Sequence, residues 1–148
     1  MKTLTHKLKA MCESAQGVIL TTEEVEAMRQ SAHGVILIDV LTRESFAAEH
    51  VPGAWNVPLW HPTFVRRVER ALGGKERPVV VYSASGRCDA SLKAARLLSQ
   101  SGFTRVYRYR GGLEAWKAAD KPVATGTAPV PAPIRRKVAR PLRVPKVA

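Results

Sequence analysis

The chain is short of cysteine, of acidic residues and of long apolar runs, and each shortage removes a class of protein. Two cysteines, Cys12 and Cys88, cannot make a disulfide framework, and their separation lacks the paired spacing of a metal site. Neither a metal nor a cofactor is expected. Apolar runs such as "VILI" and "VVVY" fall far short of the roughly 20 residues that cross a bilayer as a helix. The first residues, "MKTLTHKLKAMCESAQGVIL", are basic but have no continuous apolar core before a small-residue cleavage site. A secretory signal is therefore not expected, and the chain reads as cytoplasmic. Acids number 12 against 24 Lys and Arg, and the imbalance is concentrated at one end. Residues 122–148 hold six of the basic residues, six of the ten prolines and no acid.

What is present suits one globular domain: 148 residues with 45% hydrophobic content allow a single core and little more. Leu4, Leu8, Met11 and Cys12 recur at helical spacing, which predicts a short amphipathic helix over 3–15 with Cys12 as a packing residue. "GVIL" at 17–20 reads as a first strand. "TTEEVEAMRQ" opens with Thr21 three residues ahead of Glu24, a capping-box pattern, and carries Val25 and Met28 on one face. "GVILIDV" over 34–40 has the unbroken apolar run of a buried parallel strand. A short helix-prone stretch, "TRESFAAEH", and an extended one, "VPGAWNVPL", come next. "HPTFVRRVERALGG" predicts a helix with Phe64, Val65, Val68 and Leu72 inward, Arg66, Arg67 and Arg70 on a solvated face, and a glycine pair as its C-cap. "PVVVY", "SLKAARLLSQSG", "TRVYRY" and "GGLEAWKAAD" then read as strand, helix, strand and closing helix. Leu92, Ala95, Leu97 and Leu98 are expected on the buried face of the first of these helices, and Trp116 inward on the second. Strands alternating with helices at these lengths predict an α/β domain with a mainly parallel sheet.

Between strand and helix lies "SASGRCDAS", residues 83–91. A small polar loop at the carboxyl end of a parallel strand, leading into a helix N-terminus, is suited to hold an anion. Gly86 lets the backbone approach a ligand closely, and Arg87 adds a cation at the rim. From Pro122 onward no periodicity remains, and a disordered tail is expected. Its charge would attract an acidic partner (nucleic acid, an acidic protein or an anionic surface), or serve only to keep the chain in solution. The tail lacks an aromatic residue on which bases could stack.

Three stretches in register resemble the rhodanese-like domains. "LIDVLTRESFAAEHVPGAWNVPL" is similar to their first signature, "VVVYSASGRCDAS…AARLLSQSGF" to their active-site strand, loop and helix, and "VYRYRGGLEAWKAADKPV" to their closing segment. The resemblance implies a rhodanese-like domain over 18–123, between an N-terminal helical extension (1–17) and a basic tail (124–148). It implies a central five-stranded parallel sheet with helices on both faces, and a loop of Ser83, Ala84, Ser85, Gly86, Arg87, Cys88 and Asp89 that binds an anion. It also implies sulfur transfer: a loop thiolate takes a sulfane sulfur from a donor such as thiosulfate, holds it as a persulfide and passes it to a thiol or cyanide.

The resemblance places the family's nucleophilic cysteine at Ser83. A serine hydroxyl forms no persulfide, so the usual reaction at that position is not expected, and an anion- or protein-binding module is the leading reading. Two alternatives stay open. Cys88, in a "CDAS" segment similar to the second cysteine of some relatives, could carry the persulfide, or it could pack beneath the helix. Ser83 could also be an engineered replacement that silences an active enzyme. In "DVLTRES" the family often has an Arg and a Glu where this chain has Leu41 and Ser45, so both members of an ion pair are absent together. Asp39 and His50 are expected to have structural roles near the site. Oligomeric state is left open.

Overall fold

The computed structural model describes residues 17–32 and 34–127. The helix expected over 3–15, with Cys12, and the expected tail beyond Thr127 lie outside the described residues.

Five strands, β1 (Val18–Leu20), β2 (Ile36–Asp39), β3 (Trp55–Asn56), β4 (Val79–Tyr82) and β5 (Val106–Tyr109), form one sheet in the order β1-β5-β4-β2-β3. All of its pairings are parallel. The helices are α1 (Thr22–Gln30), α2 (Arg43–Ala48), α3 (Phe64–Leu72), α4 (Ala90–Gln100) and α5 (Gly112–Ala118). No helix among the described residues is long and apolar enough to cross a membrane.

Alternation along the strands divides the core in two. Ile38, Val79, Val81 and Val106 pack beneath α3 and α4, against Phe64, Val68, Leu72, Ala94, Ala95 and Leu98. Leu37, Val80, Tyr82, Tyr107 and Tyr109 face α1, α2 and α5 through Val25, Phe46 and Trp116. The sheet is thus covered on both sides, which is why β2 and β4 read as continuous apolar runs. The α1 capping box is complete, with Thr21 Oγ1 accepting from Glu24 N and Glu24 Oε1 accepting from Thr21 N. Gly73 ends α3 in the left-handed region (φ 72°), as a glycine C-cap does.

One helix face departs from expectation. The buried stripe of α4 is Ala90, Ser91, Ala94, Ala95 and Leu98, while Leu97 is 37% exposed. Small residues at 90, 91, 94 and 95 let the helix lie close on the sheet, and that stripe turns Leu97 outward. Past Val123 the backbone is still tied down. His50 and Ala124 exchange N–H···O bonds of 2.9 and 2.8 Å, and Gly126 N donates to Ala47 O.

Candidate functional site

Parallel register brings Asp39, Tyr82 and Tyr109 into one row at the carboxyl ends of β2, β4 and β5. The 83–89 loop leaves the sheet from this row. Ser83 continues β4 and is 1% exposed. Its Oγ is buried and finds no hydrogen-bond partner, an unusual state for a buried hydroxyl. The loop then climbs to the surface. Ala84, Gly86, Arg87 and Asp89 are exposed, and Ser85 and Cys88 are half-buried.

Two sets of bonds fix the loop. Within it, Cys88 N donates to Ser85 O (3.1 Å) and Arg87 N to Ser85 Oγ (3.3 Å). From outside, Leu113 N donates to Ser83 O (3.1 Å) and Glu114 N to Ala84 O (2.9 Å). Unpaired N–H groups at the start of α5 thus hold the loop carbonyls. This contact explains the glycine pair of "RGGLEAW". Gly112 has φ 60°, and a Cβ there would collide with the Ser83 carbonyl. With its carbonyls drawn toward α5, the loop leaves the N–H groups of Ala84, Ser85 and Gly86 without an acceptor among the described residues. Successive free amides of this kind form a concavity suited to an anion.

Cys88 is half-buried and packs on the apolar cluster beneath α3 and α4, in company with Leu59 and Val65. Asp89 takes the N-cap position of α4 without a side-chain cap bond. Its carboxylate instead pairs with Lys93 Nζ at 3.0 Å on the surface, directed along the helix. Beside the loop, Arg108 of β5 is 7% exposed, and its Nε donates to Ser91 Oγ at 2.9 Å. Its pKa is lowered, first by desolvation and then by the charges of Arg110 and Arg96, while Cys88 acts in the opposite sense. Arg108 and Ser91 were not among the sequence-derived candidates. The available signal was a charged residue at an inward position of the strand "VYRY".

Asp39 and His50 form a separate buried group on the opposite sheet face. Asp39 is fully buried; its Oδ1 accepts from Leu41 N at 2.9 Å, and its Oδ2 has no hydrogen bond of ordinary geometry. Desolvation raises its pKa from 3.8 to about 6, against the lowering influence of Leu41 N–H, the Tyr82 hydroxyl and His50. The Tyr82 hydroxyl accepts from Val51 N (3.1 Å), and burial raises its pKa also. His50 Nδ1 lies 2.7 Å from Phe46 O, and the His50 ring stacks on the Phe46 ring with centroids 3.7 Å apart. Where the family often has an Arg and a Glu, Leu41 donates its N–H to Asp39 and Ser45 joins Thr42 in capping α2. Among the described residues no cluster of His, Cys, Asp or Glu could hold a metal.

Residues 21–119 match the rhodanese-like domain family. A sulfurtransferase of Allochromatium vinosum is 34% identical over 87 residues, covering 59% of this chain and 76% of that protein. The HTH-type transcriptional regulator Rv0324 of Mycobacterium tuberculosis is 33% identical over 94 residues; the match takes in 64% of this chain but only 39% of the regulator. Among solved structures, a rhodanese with anions from E. coli is 34% identical with a TM-score of 0.52, covering 63% of this chain and all of that one. The chain belongs to the rhodanese-like domain family.

Proposed function

We propose that this chain is a rhodanese-like module that binds a small sulfur-bearing oxyanion in the 83–89 loop and transfers no sulfur through residue 83. One observation carries the reading. Ser83 Oγ, buried and unpartnered, lies at the base of a loop whose Ala84, Ser85 and Gly86 amides have no acceptor among the described residues. A bound oxyanion would satisfy both: its oxygens accept from the amides and from the serine hydroxyl. The E. coli relative described as a rhodanese with anions supports the same use of the fold. A hydroxyl at residue 83 stays protonated near neutral pH unless a base takes its proton, and Asp89 is engaged with Lys93.

A second reading has Cys88 carry sulfur, and its place three residues before Ser91, which holds the Arg108 Nε, favours it. The Cys88 thiolate would attack the outer sulfur of thiosulfate. A Cys88 S–S bond forms, the S–S bond of thiosulfate breaks, and sulfite leaves with the electron pair. Cyanide would then take the terminal sulfur as thiocyanate and restore the thiolate.

A thiosulfate:cyanide assay, with mass spectrometry for one added sulfur, separates the two readings. The binding module gives no turnover and no adduct in the wild type, whereas Ser83→Cys gains both. Wild-type turnover abolished by Cys88→Ala would refute the first reading and establish the second.

A further inference from the structure

Arg108 is a buried cation without a buried counter-charge. Its side chain is shielded to 7% exposure, and Nε is committed to Ser91 Oγ. Among the described residues the ion pairs are Lys93–Asp89, Lys117–Glu49 and Lys121–Glu26, so no carboxylate serves this guanidinium. Its two Nη groups donate to no acceptor among the described residues, yet neither is sealed from solvent. Arg110 and Arg96, both exposed, add charge of the same sign to its surroundings. Burying a guanidinium without a counter-charge is costly unless an anion completes the arrangement.

The location points to the loop. Ser91 lies in the first turn of α4, three residues after Cys88, so its bond to Nε pins the Arg108 fork to the start of the helix that the loop enters. The carbonyl of Arg110, two residues further along, lies 3.7 Å from where a Cβ on Gly86 would stand. At the other end of the loop Ser83 Oγ is buried without a partner. A planar fork with free Nη donors is shaped to bind two oxygens of one oxyanion.

We propose that Arg108 is the charged wall of the loop's binding site and that it selects a doubly charged tetrahedral oxyanion over a singly charged linear anion. The proposal rests on the anion-binding reading of the loop and adds its specificity-determining residue. The shielded Arg108 guanidinium favours the second ligand charge, and Ser91 keeps the fork from rotating away.

The test is calorimetric titration of the full chain with sodium thiosulfate, sodium sulfate and sodium thiocyanate at constant ionic strength, with loop amide chemical shifts followed in parallel. The two dianions are expected to bind about tenfold or more tighter than thiocyanate, and Arg108→Gln to lose about tenfold in dianion affinity. Arg108→Lys keeps a cation in place but lacks the fork, so a several-fold loss is expected; it carries the test if Arg108→Gln does not fold. Arg66→Gln, on the exposed face of α3, should change nothing. Unchanged dianion affinity in the Arg108 variants, or thiocyanate binding as tightly as sulfate, overturns the proposal. Arg108-dependent binding that leaves the Ala84–Gly86 amides unmoved would show an anion at Arg108 outside the loop, and would overturn both the loop reading and the placement of Arg108 as its wall. Absence of anion binding in the wild type would refute both.

Discussion

Replacing Asp39 by asparagine should stabilise the protein at neutral pH and do little in acid. Asp39 is fully buried with one unsatisfied oxygen, and its folded pKa is raised from 3.8 to about 6. A raised acid pKa means that the folded state binds the proton more tightly than the unfolded chain. The resulting stability is fully present below the unfolded pKa and is lost as pH rises through the folded one. At 1.36 kcal/mol per unit, a rise of about two units is worth about 3 kcal/mol, of which about 2 kcal/mol is lost between pH 4.5 and 7.5. The asparagine side chain would keep the acceptor for Leu41 N and present a neutral amide where Oδ2 now lies. Urea denaturation of wild type and Asp39→Asn at the two pH values isolates the effect, because all other titrations cancel in the comparison. The stability difference should move in favour of the variant by about 2 kcal/mol from acid to neutral pH. A pH-independent difference would refute a protonation-linked cost of burying Asp39.

Gly112→Ala places a methyl against the Ser83 carbonyl at positive φ; a loss of about 2 kcal/mol or more is expected, with amide shifts displaced throughout 83–89. Normal stability with an unmoved loop would contradict the contact between α5 and the loop. Thr21→Ala removes one half of the α1 capping box and should cost about 1 kcal/mol by chemical denaturation. Leu98→Ala, at the C-terminal end of the α4 stripe and fully buried, should cost about 2 to 5 kcal/mol, whereas Leu97→Ala on the exposed side should cost well under about 1 kcal/mol.

The fold was legible because its signals are local and redundant. Thr21 and Glu24 mark a helix start, Gly73 a helix end, and the unbroken runs in β2 and β4 announce strands covered on both faces. The α4 face was misread at Leu97 because hydrophobicity alone favours leucine over alanine, while close approach to a sheet favours the small residues at 90, 91, 94 and 95. Within the site, the loop stood out in the sequence and its partners did not. Arg108 meets Ser91 across 17 residues of chain, and Leu113 meets Ser83 across 30. Only parallel pairing of β4 with β5 brings these segments together. Asp39 and His50 belong to the first signature, yet they lie on the opposite sheet face from α3 and α4, as the alternation of β2 requires for Asp39.

The central claim is that the Ala84, Ser85 and Gly86 amides, with Ser83 Oγ beneath them, form an anion cradle. Titrating isotopically labelled wild-type protein with thiosulfate tests it most directly, read as backbone amide chemical shifts. Saturable shifts concentrated at residues 84–86, with no sulfur adduct at Ser83 by mass spectrometry, are the predicted result. Shifts absent from those amides at saturating thiosulfate, or centred elsewhere on the domain, would contradict it.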